Sequence, residues 1–242
     1  MPANKKEEIQ EELKQESRWI SDAQQGIHKN IELVVNKHFL KVNQKPIAKH
    51  TQEAFDLLKP KVLNSIKLGK PLIFDSCCGT AMSTVIIAKQ NPDALVIGID
   101  RSAFRLAKEY NYNLPENALL VQAECADFWS LAHAESWKLE KHFILYPNPY
   151  PKSKHLKRRW HGHPAFPLLF SLGGELELRT NWKVYVDEFC MALGLGLDRV
   201  VENRLGKTKV NAELIKPSEP LTLFEKKYAE SGQPLYQCKI KL

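Results

Sequence analysis

Three acidic residues each follow a short apolar run: Asp75 after Leu72-Ile73-Phe74, Asp100 after Ala94 to Ile99, and Glu124 after Leu119 to Ala123. Runs of that length suit buried strands and are too short for helices. In an open parallel sheet, ligands bind beyond the carboxyl ends of the strands. A carboxylate there can accept hydrogen bonds from ribose hydroxyls, the role expected of Asp100. A fourth run, Phe143 to Tyr146, opens into Pro147-Asn148-Pro149-Tyr150-Pro151. The prolines stop strand pairing and stiffen the turn, so a polar side chain and an aromatic ring stand at the strand's end. Lys152, Lys154, His155, Lys157, Arg158 and Arg159 follow at once. Buried strand, rigid turn and dense cations together fit a partner that is anionic and planar.

Behind these residues lies a readable series of elements. The first two strands, with Ser76-Cys77-Cys78-Gly79-Thr80 and a helix over Ala81 to Lys89 between them, form a β-α-β unit. Ser102 can cap a helix running to about Tyr110. Gly173-Gly174 turns the chain into a fifth strand, Glu175 to Thr180; Asn181-Trp182 and a helix carrying Tyr185, Val186 and Phe189 follow. Leu235 to Leu242 alternates and is expected to be a late edge strand. Upstream, Thr51 can cap a helix whose Phe55, Leu58, Val62 and Ile66 face one side, with Pro60 expected to kink or split it and Gly69 to end it. Ile27, Ile31, Val34 and Val35 recur at helical spacing. Residues 1 to about 17, rich in Lys and Glu, read as a frayed helix or a disordered lead-in. The expected organisation is an N-terminal extension over 1–50, partly flexible or helical, and one α/β domain over 51–242.

The 242-residue chain carries a formal charge of +7. Between Lys141 and Gly174 there is no Asp or Glu, while six Lys/Arg and four of the eight histidines fall there. That asymmetry, beside a candidate active-site turn, favours nucleic acid over a merely solvated basic face. The longest uninterrupted apolar or glycine run, Phe189 to Leu197, is far too short to span a bilayer. With no secretion signal at its start the protein is expected in the cytoplasm. Five cysteines without a CxxC pair argue for reduced thiols. No cysteine or carboxylate completes a zinc set with His155, His161 and His163, so no metal is expected.

Neither G-x-G-x-x-G nor G-x-x-x-x-G-K-[ST] is present, and Gly79 stands alone in its loop, so a diphosphate cradle is poorly supported. A ligand with ribose and no phosphate fits better. S-adenosylmethionine is such a ligand, and Asp75 suits its cationic amino-acid end, directly or through water. The series Asp75-x-Cys77-x-Gly79, Asp100 and Glu124 resembles the cofactor site of class I S-adenosylmethionine-dependent methyltransferases. Pro147-Asn148-Pro149-Tyr150-Pro151-Lys152, the run His155 to Arg159, Thr180-Asn181-Trp182 and Pro220-Leu221-Thr222-Leu223-Phe224-Glu225 are similar, in order and spacing, to the bacterial tRNA (guanine-N7-)-methyltransferases. The resemblance covers roughly Ile73 to Glu225. It implies a Rossmann-like fold, a doubly wound and mostly parallel seven-stranded sheet with helices on both faces. It further implies a cofactor site from Asp75, Cys77, Gly79, Asp100, Arg101, Glu124 and Cys125, with Asn148 at the catalytic position. Substrate contacts are implied for Lys152, Lys154, His155, Lys157, Arg158, Arg159, Asn181, Thr222 and Glu225, in a monomer or homodimer acting on tRNA.

Four residues depart from the family pattern: Asn148 and Asn181 where the family has Asp, and Cys77 and Ala81 where it has glycine. Guanine N7 has a lone pair and no proton to lose, so its methylation needs alignment and electrostatics more than a base. Asn148 would therefore slow the chemistry or weaken the grip on guanine without abolishing either. A second reading is methylation of an exocyclic amine, adenine N6 or guanine N2, since Asn-Pro-Tyr-Pro resembles the [N/D]-P-P-[Y/F/W] turn of amine methyltransferases. A third is a catalytically weakened relative that only binds RNA, and a fourth a small-molecule methyltransferase. Tyr150 and Trp182 could stack on a base, Trp160 and Trp129 read as core or rim, and His161 and His163 could reach phosphate. Cys77, Cys78 and Cys125 around the pocket read as small, inert, half-buried thiols.

Overall fold

The computed structural model describes residues 23–41, 43, 45–108, 112–200 and 208–242. The expected lead-in over residues 1–17 and the end of the helix expected at Tyr110 lie outside them. Seven strands form one sheet: β1 Leu72–Ser76, β2 Leu95–Asp100, β3 Ala118–Gln122, β4 Lys141–Leu145, β5 Glu175–Thr180, β6 Glu213–Ile215 and β7 Leu235–Lys241. Their order is β3-β2-β1-β4-β5-β7-β6. β1 through β5 pair in parallel, and β7 joins antiparallel to both β5 and β6. The late strand is thus interior, because the three-residue β6 takes the edge.

Strand side chains alternate between faces. Leu72 and Phe74 of β1 join the larger core, whereas Ile73 joins the smaller one on the opposite face. The larger core receives helix α1 (Ile31–Leu40) through Ile31 and Val35, α2 (Lys49–Lys67) through Phe55 and Val62, and α5 (Cys125–Ala134) through Phe128 and Trp129. The long helix α7 (Lys183–Val200) adds Val186 and Phe189 to the same core. Helix α3 (Met82–Gln90) closes the other face with Ile87 and Ala88. Shorter pieces complete the fold: α4 (Ala103–Leu106), α6 (Leu168–Leu172), α8 (Leu223–Glu230) and 3-10 turns at Ser153–Arg158 and Trp160–Gly162.

Two expectations about α2 need correction. Pro60 lies inside one helix of 19 residues, without a split. Pro60 and Asp56, whose carbonyl loses its partner, are both exposed, so water can satisfy that carbonyl while Phe55 and Val62 anchor the helix on either side. Thr51 does not cap α2, since the cap position is Ala48; its hydroxyl accepts from the Glu124 amide at 3.1 Å and so ties α2 to the start of α5. Ser102 does cap, accepting from the Arg105 amide.

Gly98 shows how tightly α3 sits on the sheet. A Cβ there would collide with the Thr84 hydroxyl and the Leu120 side chain. Thr84 is held in turn by Asp75. Gly98→Ala is therefore expected to destabilise the protein by about 1–3 kcal/mol through overpacking, measured as a lowered urea midpoint; an unchanged midpoint would show that α3 can shift freely.

Candidate functional site

The carboxyl ends of β1, β2 and β4 open onto one cleft of about 580 Å³, in the size range of small-molecule sites. One side is walled by Cys77, Cys78, Gly79, Asp100, Arg101, Glu124 and Cys125; across from them stand Tyr146, Asn148, Tyr150, Lys157, Arg158 and Thr222. The anticipated acidic and basic-aromatic halves therefore share one space.

Backbone strain concentrates at this cleft. Cys77 and Ala81 hold left-handed φ values of 66° and 67°, and Tyr146 and Tyr150 hold 50° and 45°. Such conformations cost non-glycine residues roughly 1–2 kcal/mol each and persist where the surroundings enforce them. For Tyr146 the enforcing partner is Glu225, whose carboxylate accepts from the Tyr146 hydroxyl at 3.1 Å, from Arg179 at 3.0 Å and from the Leu221 amide at 2.6 Å.

Asp100 is buried, yet it reaches the cleft wall. One oxygen accepts from the Gly79 amide at 3.0 Å, the other from the Ser102 amide at 2.8 Å and from Arg105 at 2.9 Å. Arg105, part-exposed, lies over the carboxylate and was not among the residues expected at the site. Asp75 does not line the cleft. It lies behind Ser83, and its Oδ2 accepts from the Ser83 and Thr84 hydroxyls at 2.6 and 2.7 Å while Oδ1 has no hydrogen-bond partner. Burial pushes the Asp75 carboxyl up to about 6, against the pull of those two hydrogen bonds.

On the opposite wall, Asn148 is exposed and its Oδ1 accepts from the Tyr150 amide at 3.3 Å. Arg158 places its guanidinium 5.8 Å from the Tyr150 ring centre. Lys157 and Arg158 line the cleft; Lys152, Lys154 and His155 belong to the same segment outside that lining. Arg159 requires correction, because it is a buried structural cation and not a surface contact. It pairs with Glu188 at 2.6 Å, with both side chains 0% exposed, and donates to the Tyr150 and Lys152 carbonyls. Asn181 is also displaced from its expected place: it donates to Gln233 at 2.8 Å and is not part of the cleft lining. Glu225 is buried beneath the wall and positions Tyr146, whereas Thr222 lines the cleft and caps α8 by accepting from the Glu225 amide. Trp182 lies under Arg159, 4.9 Å from its guanidinium carbon, so it is not a free stacking face. His161 is buried against Glu188 at 2.8 Å and cannot reach phosphate.

Trp160 and His163 do reach the cleft. Burial pushes the His163 ring down to about 4, and its Nδ1 accepts from the Ala165 amide, which leaves Nε2 as the protonated nitrogen. Among the described residues no group of three or more His, Cys, Asp or Glu side chains is placed to hold a metal ion. No described helix is long and apolar enough to cross a membrane.

With this geometry in place, comparison with known proteins is informative. Residues 69–238 match the sequence model of a family described as "Putative methyltransferase". The chain belongs to this methyltransferase family. Among its curated relatives, a tRNA (guanine-N(7)-)-methyltransferase of Mycoplasma genitalium is 27% identical over 217 residues, covering 86% of this chain and 96% of that protein. One of the same description from Photorhabdus laumondii is 25% identical, covering 78% and 84%. A solved structure described as an antibiotic related methyltransferase superposes with a TM-score of 0.55 at 12% identity, over 76% of this chain and 94% of the other. That likeness is one of fold. The methyltransferase thus has the Rossmann-like, mostly parallel sheet expected from its sequence, and its cleft lies where the strand order reverses about β1.

Proposed function

We infer that this methyltransferase transfers the methyl group of S-adenosylmethionine to N7 of a guanine in tRNA. The observation that carries this reading is the single cleft shared by Asp100 and Glu124 on one side and Asn148, Tyr150, Lys157 and Arg158 on the other. The curated relatives, described as tRNA (guanine-N(7)-)-methyltransferases, support the choice of substrate.

The residues present fit such a cofactor. Asp100 offers carboxylate oxygens to ribose hydroxyls once Arg105 swings aside, and the unpaired oxygen of Asp75 offers a buried negative pole behind the loop. When bound, S-adenosylmethionine supplies an electrophilic methyl group on a sulfonium. The chain's own task is to hold the base in line with it. Tyr150 offers a ring for the base, Asn148 a carbonyl acceptor, and Lys157 with Arg158 a seat for phosphate. Asn181, bonded to Gln233, takes no part in framing the base.

A neutral acceptor stabilises the positive charge gained by an N7-methylated guanine less than a carboxylate does. Asn148→Asp is accordingly expected to raise the turnover number about tenfold, about 1.4 kcal/mol, in single-turnover assays on tRNA; an equal or lower rate would count against the role given to Asn148. The exocyclic-amine reading is favoured by one feature, the neutral Asn148 beside Tyr150. Transfer of labelled methyl to bulk tRNA, then digestion and nucleoside identification, tests both: 7-methylguanosine supports the proposal, whereas N6-methyladenosine, N2-methylguanosine or no labelled nucleoside overturns it.

A further inference from the structure

The cleft carries a chemical feature that methyl transfer does not use. Cys77, in the loop after β1, and Cys125, the first residue of α5, both line it, and their sulfurs lie 3.8 Å apart. Cys125 also places its sulfur 3.8 Å from the Ile99 carbonyl, deep in the cleft wall. Cys77 occupies a left-handed backbone position, φ 66°, where a side chain is disfavoured and glycine would be free of penalty. A thiol is thus retained at a strained position and aimed at a second thiol across the cofactor end of the cleft.

We propose that Cys77 and Cys125 form an oxidation site at which a hydroperoxide links the two walls of the cleft by a reversible disulfide. The Cys77 sulfur attacks one peroxide oxygen, the O–O bond breaks, and a sulfenic acid and water result. The Cys125 sulfur then attacks the Cys77 sulfur and the hydroxyl leaves as a second molecule of water. In total two thiols lose two protons and two electrons, and hydrogen peroxide is reduced to two water molecules.

The order of attack follows from access. Cys77 is half-buried on the cleft wall, whereas Cys125 is 6% exposed. The hydrogen bond to Cys77 and burial both hold the Cys125 thiol well above the ordinary range, which suits the resolving partner and not the first attacker. The sulfurs must close from 3.8 Å to the roughly 2.05 Å of a disulfide. The bond would draw the β1–α3 loop against the start of α5, in space that the cofactor needs. This consequence rests on the reading of the cleft as a cofactor site; the linkage itself does not. Cys190 and Cys238, 4% and 1% exposed, provide an internal contrast, since neither is half-buried as Cys77 is.

The test uses the full chain treated with a few equivalents of hydrogen peroxide and mapped by non-reducing peptide mass spectrometry. The expected result is a Cys77–Cys125 linked peptide, two mass units below the sum of its thiol forms, that disappears with dithiothreitol and is absent from Cys125→Ser. Saturating S-adenosylhomocysteine should slow its formation at least tenfold. Calorimetry of the oxidised chain should show at least a tenfold loss of affinity for S-adenosylhomocysteine, recovered on reduction. Oxidation of Cys77 to sulfinic acid without linkage, or linkage of Cys190 to Cys238 instead, would overturn the site. Linkage with unchanged affinity would overturn its effect on the cleft. Neither readout involves methyl transfer, so a failure of the tRNA assay leaves this proposal standing, and the reverse holds as well.

Discussion

Glu188→Ala is expected to destabilise the folded chain by about 3–5 kcal/mol, the usual result of removing one partner from a buried ion pair. Glu188 is the acceptor for four groups: Arg159 at 2.6 Å, His161 at 2.8 Å, the Gln24 side chain at 2.6 Å and the His28 amide at 2.8 Å. Its loss leaves the Arg159 guanidinium charged and fully enclosed. Because Arg159 also grips the Tyr150 and Lys152 carbonyls, the proline-rich turn should loosen before the sheet does. Urea unfolding followed by both tryptophan fluorescence and far-ultraviolet circular dichroism measures this, and a loss below about 1 kcal/mol would refute it. The pH dependence follows in sign. Burial alone would raise the Glu188 carboxyl, but the hydrogen bonds from His161 and Gln24 and the charge of Arg159 hold it down to about 2. Its contribution is therefore complete above the ordinary glutamate value near 4.3 and is lost as pH falls from there through about 2.

The second large effect concerns binding. Asp100→Ala is expected to weaken S-adenosylhomocysteine binding about a hundredfold, or about 2.7 kcal/mol. A carboxylate accepting from ribose hydroxyls makes charge-assisted bonds that alanine cannot replace. The same oxygens anchor the Gly79 and Ser102 amides, so part of the loss could come from a loosened loop. Asp100→Asn separates the two, because it retains one acceptor oxygen. If both variants unfold at the wild-type urea midpoint and both bind as tightly as the parent, Asp100 has no part in holding the ribose.

Which features the sequence revealed depends on the range of the interaction that fixes each one. Strands β1, β2, β3 and β4 were legible because strands covered on both faces are apolar runs, and β5 because Leu176 and Leu178 alternate with polar residues. Their ends place Asp100 in the cleft without further information. The three residues of β6 carry no such pattern, and without β6 the late strand looks like an edge. Arg159 is the clearest failure of local reasoning. Within a run of cations nothing distinguishes it from Lys157 or Arg158, and the carboxylate that buries it lies 29 positions away on α7. Asn181 was misplaced for a similar reason, since its partner Gln233 is 52 positions distant. Arg105 could have been found, because a cation one helical turn beyond a strand-end carboxylate is placed to fold back upon it.

The N-terminal stretch also has a larger part than its composition suggested. Gln24 and His28 both bond Glu188, and the Gln24 amide donates to the Pro151 carbonyl at 2.9 Å. Residues outside the matched family region therefore brace the proline-rich turn at the cleft.

The left-handed turn at Tyr146 has a consequence for biosynthesis. Its hydroxyl is held by Glu225, which the ribosome adds 79 residues later. Its amide finds an earlier anchor in the Arg179 carbonyl at 2.8 Å, so the bond to Glu225 completes a turn that β5 has already begun to hold. The emerging polypeptide can pair its five parallel strands before Glu225 is made, and the wall of the cleft at Tyr146 is finished only with the closing segment.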